Sequence, residues 1–305
     1  MASLTVLRSG MLTTVQDLGR WGHQSSGVPV AGPMDLYSHR LANRLVGNGD
    51  RSAALEVTIV GPELRASGHV LCAVAGAEFP LQVNGKSADT RSAFEVPDGA
   101  ILRFGARAAG ARATLAVRGG FDVPATFGSQ ATSIVSRMGP FGGRALLPDD
   151  ELRVGTGPVV HVEAGARAAL PSGGARLRVL MGPHDVRFPD AAVRRLLESR
   201  FVITPDSNRM GYRLDGPIVP GGAEPGMLSD ATPFGSLQVT GSGQPILLMA
   251  DRPATGGYPR IATVISADLP IAGQLAPGDW IEFVACSRPE AIQALRRQEA
   301  ALGAS

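Results

Sequence analysis

Ile246-Leu247-Leu248-Met249-Ala250 and Ile261-Ala262-Thr263-Val264-Ile265 are two apolar runs joined by Asp251-Arg252-Pro253-Ala254-Thr255-Gly256-Gly257-Tyr258-Pro259. Short continuous runs rich in branched residues and bounded by Gly and Pro read as strands buried on both faces, because helices of comparable burial run longer. The connecting stretch is then a polar loop on a firm anchor. It carries a carboxylate, a guanidinium, a hydroxyl, a phenol and two adjacent glycines, whose missing Cβ lets backbone N–H groups approach a ligand closely.

The same punctuation runs through the chain of 305 residues, which contains 39 glycines and 23 prolines among many short apolar runs. That pattern predicts a mainly β architecture with a few short helices. The length allows one large or two ordinary domains. A stretch of small residues at 164–175, closing in Pro and Gly, marks the expected boundary. The expected division is residues 1–170, residues 176–288, and a terminal helix and tail at 289–305.

Leu4 to Arg8 reads as a strand, and Pro33 with Asp35 opens a helix over about 33–46 that stops at Gly47. Leu55–Val60, Val70–Val74, Phe79–Val83 and Ala88–Val96 read as further strands, the last two joined by an Asn84-Gly85 hairpin turn. An acidic turn feeding an alternating strand recurs at Pro97, Pro148 and Pro277, at unequal spacings that exclude a solenoid or propeller. It hints at two related β halves. In the second half, Leu177–Met181 is a strand, residues 190–199 a short helix, and Pro289–Leu302 an amphipathic one.

Several function classes fall away. The formal net charge is +2 and the basic residues are dispersed, so nucleic acid and anionic lipid are not expected partners. Lys86 is the one lysine among 29 basic residues, which leaves Schiff-base chemistry and biotinylation a single candidate. Cys72 and Cys286 lie far apart beside apolar runs, a pattern of buried thiols suited to a reducing, cytoplasmic compartment. Neither a signal peptide nor a membrane span is expected. His23, His39, His69, His161 and His184 are scattered without ligand spacing, so no metal site is expected. Gly85-Lys86-Ser87 resembles a P-loop ending but sits in a hairpin, so this chain should bind no nucleotide or other cofactor itself.

What remains is a set of polar loops: Gln16 and Asp17 with Arg20; Asn208 and Arg209 with Arg213; Ser229 and Asp230 with Gln238; and Asp251 with Thr255, Gly256, Gly257 and Tyr258. A carboxylate accepts from an amide N–H, an arginine clamps a carboxylate, and glycine-freed N–H groups stabilise an oxyanion. Such a set suits a small amide substrate. The same residues also serve simply to close tight β loops, and Asp–Arg pairs to fix their geometry.

Thr14-Val15-Gln16-Asp17-Leu18-Gly19-Arg20, Gly27-Val28-Pro29 with Gly32-Pro33-Met34-Asp35, Ser207-Asn208-Arg209-Met210-Gly211-Tyr212-Arg213 and Thr255-Gly256-Gly257-Tyr258-Pro259 together resemble the allophanate hydrolase subunit 2 family. That family is also described as the C subunit of ATP-dependent 5-oxoprolinase, and it is similar to part of the carboxyltransferase domain of urea carboxylase. The resemblance runs nearly end to end and implies two cyclophilin-like β-barrel halves. It also implies two partner subunits: one resembling allophanate hydrolase subunit 1 or the kinase-inhibitor protein, and a third oxoprolinase subunit. The assembly would use ATP to hydrolyse 5-oxoproline to glutamate.

Within that reading Asp251 and Tyr258 handle proton transfer or orientation, while Arg209 and Arg20 hold a substrate carboxylate or phosphorylated intermediate. Gln16, Asp17, Asn208, Arg213, Gln238, Thr255, Gly256 and Gly257 complete the expected substrate contacts. Arg260 follows the Gly-Gly-Tyr-Pro stretch where the family often has lysine, so no lysine role carries over. Two alternatives stay open: a biotin-dependent carboxyltransferase subunit acting on urea or a related amide, and a non-catalytic regulator that binds a kinase-inhibitor partner.

Overall fold

The computed structural model describes residues 1–158, 166–221 and 227–303. His161 and the first two residues of the expected boundary stretch lie outside them. The chain divides into two compact units. The first comprises Met1–Arg20, Ala31–Leu170 and Ala300–Ser305, and the second Trp21–Val30 and Pro171–Glu299.

In the first unit a six-stranded antiparallel sheet runs in the order Glu151–Arg153, Ser3–Arg8, Glu63–Ser67, Ile101–Phe104, Leu81–Val83, Lys86–Ser87. A five-stranded sheet runs Leu12–Gln16, Ala54–Thr58, Ala109–Val117, Val70–Glu78, Phe94–Val96. The first sheet shows the period of two that one buried face demands: Leu4 and Val6, Leu64 and Ala66, and Leu102 and Phe104 point into a core shared with the second sheet. The facing row is Val15, Leu55, Leu115 and Val74, brought side by side by the register of four strands. Burying each such side chain contributes about 1.5–3 kcal/mol.

The second sheet is buried on both faces, because the helix Leu36–Leu45 covers its other side. Tyr37, Leu41, Ala42 and Leu45 of the helix meet Ala54, Ala73, Ala75 and Ala116 of the sheet. The row of alanines is what lets the helix axis come close. The Asn84-Gly85 turn takes the two positive φ angles, 49° and 78°, of a tight hairpin, pairing Val83 with Lys86.

In the second unit seven strands close into a barrel: Gly174–Met181, Arg260–Val264, Ser236–Val239, Pro245–Leu248, Gly211–Asp215, Arg200–Ile203 and Trp280–Ala285. The last pairs with the first in parallel, Gly174 opposite Trp280 through Val179 opposite Ala285. Leu177 and Val179, Phe201 and Ile203, Tyr212 and Leu214, and Ile281 and Phe283 alternate into the interior, each at most 2% exposed. Side chains alone fill the interior of a barrel this small. Gly174 is required at the closure, since a Cβ there would lie 2.3 Å from the Trp280 ring. The mainly β architecture with few helices expected from the sequence is thus present, with the barrel in the second unit and two packed sheets in the first. Among the described residues no helix is long and apolar enough to cross a membrane.

The helix Leu36–Leu45 can be tested at its cap and at its buried histidine. Asp35 caps it, accepting from Ser38 N at 2.9 Å and Ser38 Oγ at 2.6 Å. Asp35→Ala should therefore lower unfolding free energy by about 1 kcal/mol in urea titration, with Asp35→Ser restoring most of it. His39 is 1% exposed and lies 3.2 Å from Asn43 Nδ2. Burial lowers its pKa from 6.5 to about 4, against the opposing pull of Asp17 and Asp50. The folded chain keeps the ring neutral while the unfolded chain protonates it first, so stability is whole above about pH 6.5 and falls as pH drops toward 4. Between pH 7 and pH 5 the loss should be about 2 kcal/mol, and His39→Asn should remove that part of the slope.

Candidate functional site

The Asp251–Pro259 loop leaves the barrel strand Pro245–Leu248 and returns in Arg260–Val264. Its start is fixed by strand register. Gly211 pairs with Leu248 and Tyr212 with Leu247, and the ladder continues past the strand ends as Met249 N to Met210 O at 2.9 Å and Asp251 N to Arg209 O at 2.8 Å. That alignment brings the two side chains together. Arg209 Nε donates to Asp251 Oδ2 and Nη2 to Oδ1, each at 3.0 Å, and the two side chains are only 5% and 2% exposed. Both carboxylate oxygens of Asp251 are therefore held by one guanidinium fork.

The remaining candidates of this unit fall into two groups. Gln238 is buried and donates from Nε2 to Tyr258 O at 3.3 Å. Gly256 lies against it, and a Cβ at that position would come within 2.6 Å of the Gln238 amide nitrogen. Thr255 and Gly256 pair with Ala231 and Asp230 in a two-stranded ribbon. The Tyr258 side chain projects outward, 48% exposed, and Gly257 is exposed beside it. Asn208 and Arg213 stand apart. Asn208 accepts from Met210 N at 2.8 Å, closing its own turn, and Arg213 lies on the outer side of its strand between buried Tyr212 and Leu214.

Residues outside the expected set of substrate contacts also shape this loop. Arg252 is buried and donates from Nε to Thr232 O at 2.6 Å, while Thr232 Oγ1 donates to Pro253 O. Arg260 forms an ion pair with Asp230. The backbone N–H of Arg260 donates to His184 Nδ1 at 3.1 Å, which places the proton of the neutral ring on Nε2. Burial, then the Arg260 charge, holds His184 below its ordinary pKa. These partners are separated by 20 to 76 positions, so no local spacing reveals them.

In the first unit Gln16, Asp17 and Arg20 all act on one segment, residues 126–132. Asp17 Oδ1 accepts from Gly19 N at 2.8 Å and Ser129 Oγ at 2.6 Å, and Oδ2 from Gln130 N at 2.7 Å. Arg20, 1% exposed, donates from Nε to Thr126 O at 3.2 Å and from Nη2 to Ala131 O. Gln16 Nε2 donates to Thr14 Oγ1 and Thr132 O, both at 3.0 Å. Gly32 beside this cluster has φ 94°, a conformation side chains rarely adopt, and a Cβ there would also sit tightly, 3.3 Å from Asp17 O. Gln16 Oε1, Thr132 Oγ1 and Ser133 Oγ are buried there without a hydrogen-bond partner.

Neither cysteine is poised for attack. Cys72 is fully buried and burial pushes its thiol up, as it does more weakly for the partly buried Cys286. Among the described residues no three His, Cys, Asp or Glu side chains are grouped to hold a metal ion. What the arrangement offers is hydrogen bonding and charge: a paired Asp251 and Arg209, an exposed phenol, glycine N–H groups and buried guanidinium groups.

The same chain architecture recurs in known proteins. A family model described as the carboxyltransferase domain, subdomain A and B, matches residues 26–285. The chain is 38% identical over 299 residues to the 5-oxoprolinase C subunit of Escherichia coli, covering 97% of this chain and 95% of that one. It is 34% identical to urea amidolyase of Lachancea kluyveri over 97% of its own length, but spans only 18% of that longer protein. The crystal structure of the K. lactis urea amidolyase superposes with a TM-score of 0.90 at 33% identity, over 98% of this chain and 20% of that one. The chain therefore belongs to the family of the carboxyltransferase domain, subdomain A and B, in which relatives of its own length are named as the C subunit of 5-oxoprolinase.

Proposed function

We propose that this chain is one subunit of an ATP-dependent assembly that opens the ring of 5-oxoproline to give glutamate. The observation that carries this is the near-complete correspondence with a relative named as the 5-oxoprolinase C subunit, 95% of whose length is covered. The urea amidolyases, by contrast, contain the matching region as less than a fifth of their chains. ATP would be bound by another subunit. The partners in this reading are a subunit resembling allophanate hydrolase subunit 1 and a third oxoprolinase subunit.

The loop chemistry suits an amide substrate. Tyr258, with its phenol at the surface, is the residue we assign to proton transfer or orientation of the lactam. Asp251 acts as a positioning residue through Arg209, since both its oxygens are engaged. Gly257, exposed beside Tyr258, offers its main-chain N–H to the substrate in this reading, while Gly256 lies in the ribbon with Asp230 and Ala231, and Gln238 holds the Tyr258 carbonyl and so the end of the loop. In the first unit, Gln16, Asp17 and Arg20 set the shape of segment 126–132, and through it any substrate contact made there.

A second reading has its own support: the matching family model is that of a carboxyltransferase domain. A carboxyltransferase would need biotin carboxylase and a biotin carrier from other chains.

The test is reconstitution. With 5-oxoproline and ATP, the three purified subunits together should release glutamate, and any two should not. Tyr258→Phe should lower turnover about 100-fold without changing the melting temperature. Absence of glutamate from the complete mixture, with carboxyl transfer to urea when carboxybiotin is supplied, would replace this reading with the second.

A further inference from the structure

Three buried arginines surround the loop of the second unit, and two have a carboxylate partner. Arg209 faces Asp251 and Arg260 faces Asp230. Arg252, 7% exposed, has none among the described residues. Its guanidinium donates from Nε to Thr232 O at 2.6 Å and, at the long limit of 3.5 Å, from Nη1 to Ala250 O. Its Cζ lies 5.5 Å from the centre of the Phe234 ring, the third contact that holds it in place.

A guanidinium carries five N–H donors, and here two are given to neutral carbonyls. Asp251 is adjacent in sequence, but its two oxygens are already held by Arg209. The positive charge of Arg252 is thus fixed in place by Nε and the ring, yet has no ion-pair partner among the described residues. Burying an unpaired charge is expensive, and such groups are retained where an anion joins them. Burial accordingly lowers the Arg252 pKa to about 10. The Nη1–Nη2 end is the part of the side chain left for a ligand. Its two parallel N–H bonds match the two oxygens of a carboxylate.

We propose that Arg252 is a substrate-binding residue that takes the carboxylate of a small lactam acid end-on through Nη1 and Nη2. The identity of the acid, 5-oxoproline, rests on the functional reading above. In this assignment Arg209 is the partner of Asp251 and does not hold the substrate carboxylate.

The experiment compares 5-oxoproline with 2-pyrrolidone, the same ring without the carboxylate. Calorimetric binding of each is measured to the assembled complex containing the wild-type chain, R252Q or R252K, alongside glutamate release and thermal melting. The wild type should bind 5-oxoproline at least about tenfold more tightly than 2-pyrrolidone. R252Q should erase that preference by weakening 5-oxoproline alone, and R252K should keep part of it. A preference that survives in R252Q, or an equal loss for both ligands, overturns the proposal. So does the lack of any preference in the wild type, which needs no variant to fold. Binding with an Arg252-dependent preference but no glutamate release would overturn the oxoprolinase reading and leave the carboxylate site standing. Glutamate release with a preference independent of Arg252 would do the reverse.

Discussion

The bidentate contact between Arg209 and Asp251 is the constraint on which the loop of the second unit depends. Two charges withdrawn from water are tolerated only when they satisfy each other with good geometry, and here both fork and carboxylate are fully used along one edge. Removing either partner leaves the other charge buried and uncompensated, which typically costs about 3–5 kcal/mol. The pair forms where two strand ends meet, so it converts a barrel register into a fixed starting direction for the residues that follow. Arg252 is the next residue, pinned by Thr232 and Phe234. Tyr258, at the far end, is held through its carbonyl and leaves its phenol outside.

The first unit solves a similar problem with different groups. Asp17 and Arg20, three residues apart, both grip the main chain of residues 126–132. A carboxylate takes backbone and hydroxyl donors while a guanidinium takes carbonyls, so a segment lacking regular pairing has several of its main-chain polar groups satisfied. Residues whose type suggests ligand contact thus act first on the protein itself. Their chemistry reaches a substrate by shaping a loop.

Much of the fold is legible in the sequence because local signals and burial agree. The runs around residues 246–250 and 261–265 form the barrel strands Pro245–Leu248 and Arg260–Val264, since nothing local competes with a short branched apolar run. The helix expected over 33–46 begins at Leu36, because Asp35 serves as the cap and so stands outside it. Of the strand expected over Ala88–Val96 only Phe94–Val96 forms, together with Lys86–Ser87 just before it; residues 88–93 include the polar Asp89, Thr90, Arg91 and Ser92, and Arg91 folds back on Asp89. The site is legible in residue type and hidden in partnership. Asp251 has the chemistry of a base, and only the fold shows that its partner, 42 positions earlier, already occupies both oxygens. The sequence shows Arg252 as the guanidinium of the loop but not that it has no ion-pair partner among the described residues, which is a property of three dimensions.

Asp251 and Arg209 act as one unit that holds the loop for function. A double-mutant cycle measures this directly, by denaturant unfolding of R209M, D251L and the combined variant in the full chain, with turnover followed in the assembled complex. Each single variant should lose about 3–5 kcal/mol, and the combined variant should recover most of that stability while turnover stays low. Losses that simply add, or a combined variant that turns over normally, would show that the two residues do not act as a unit in holding the loop.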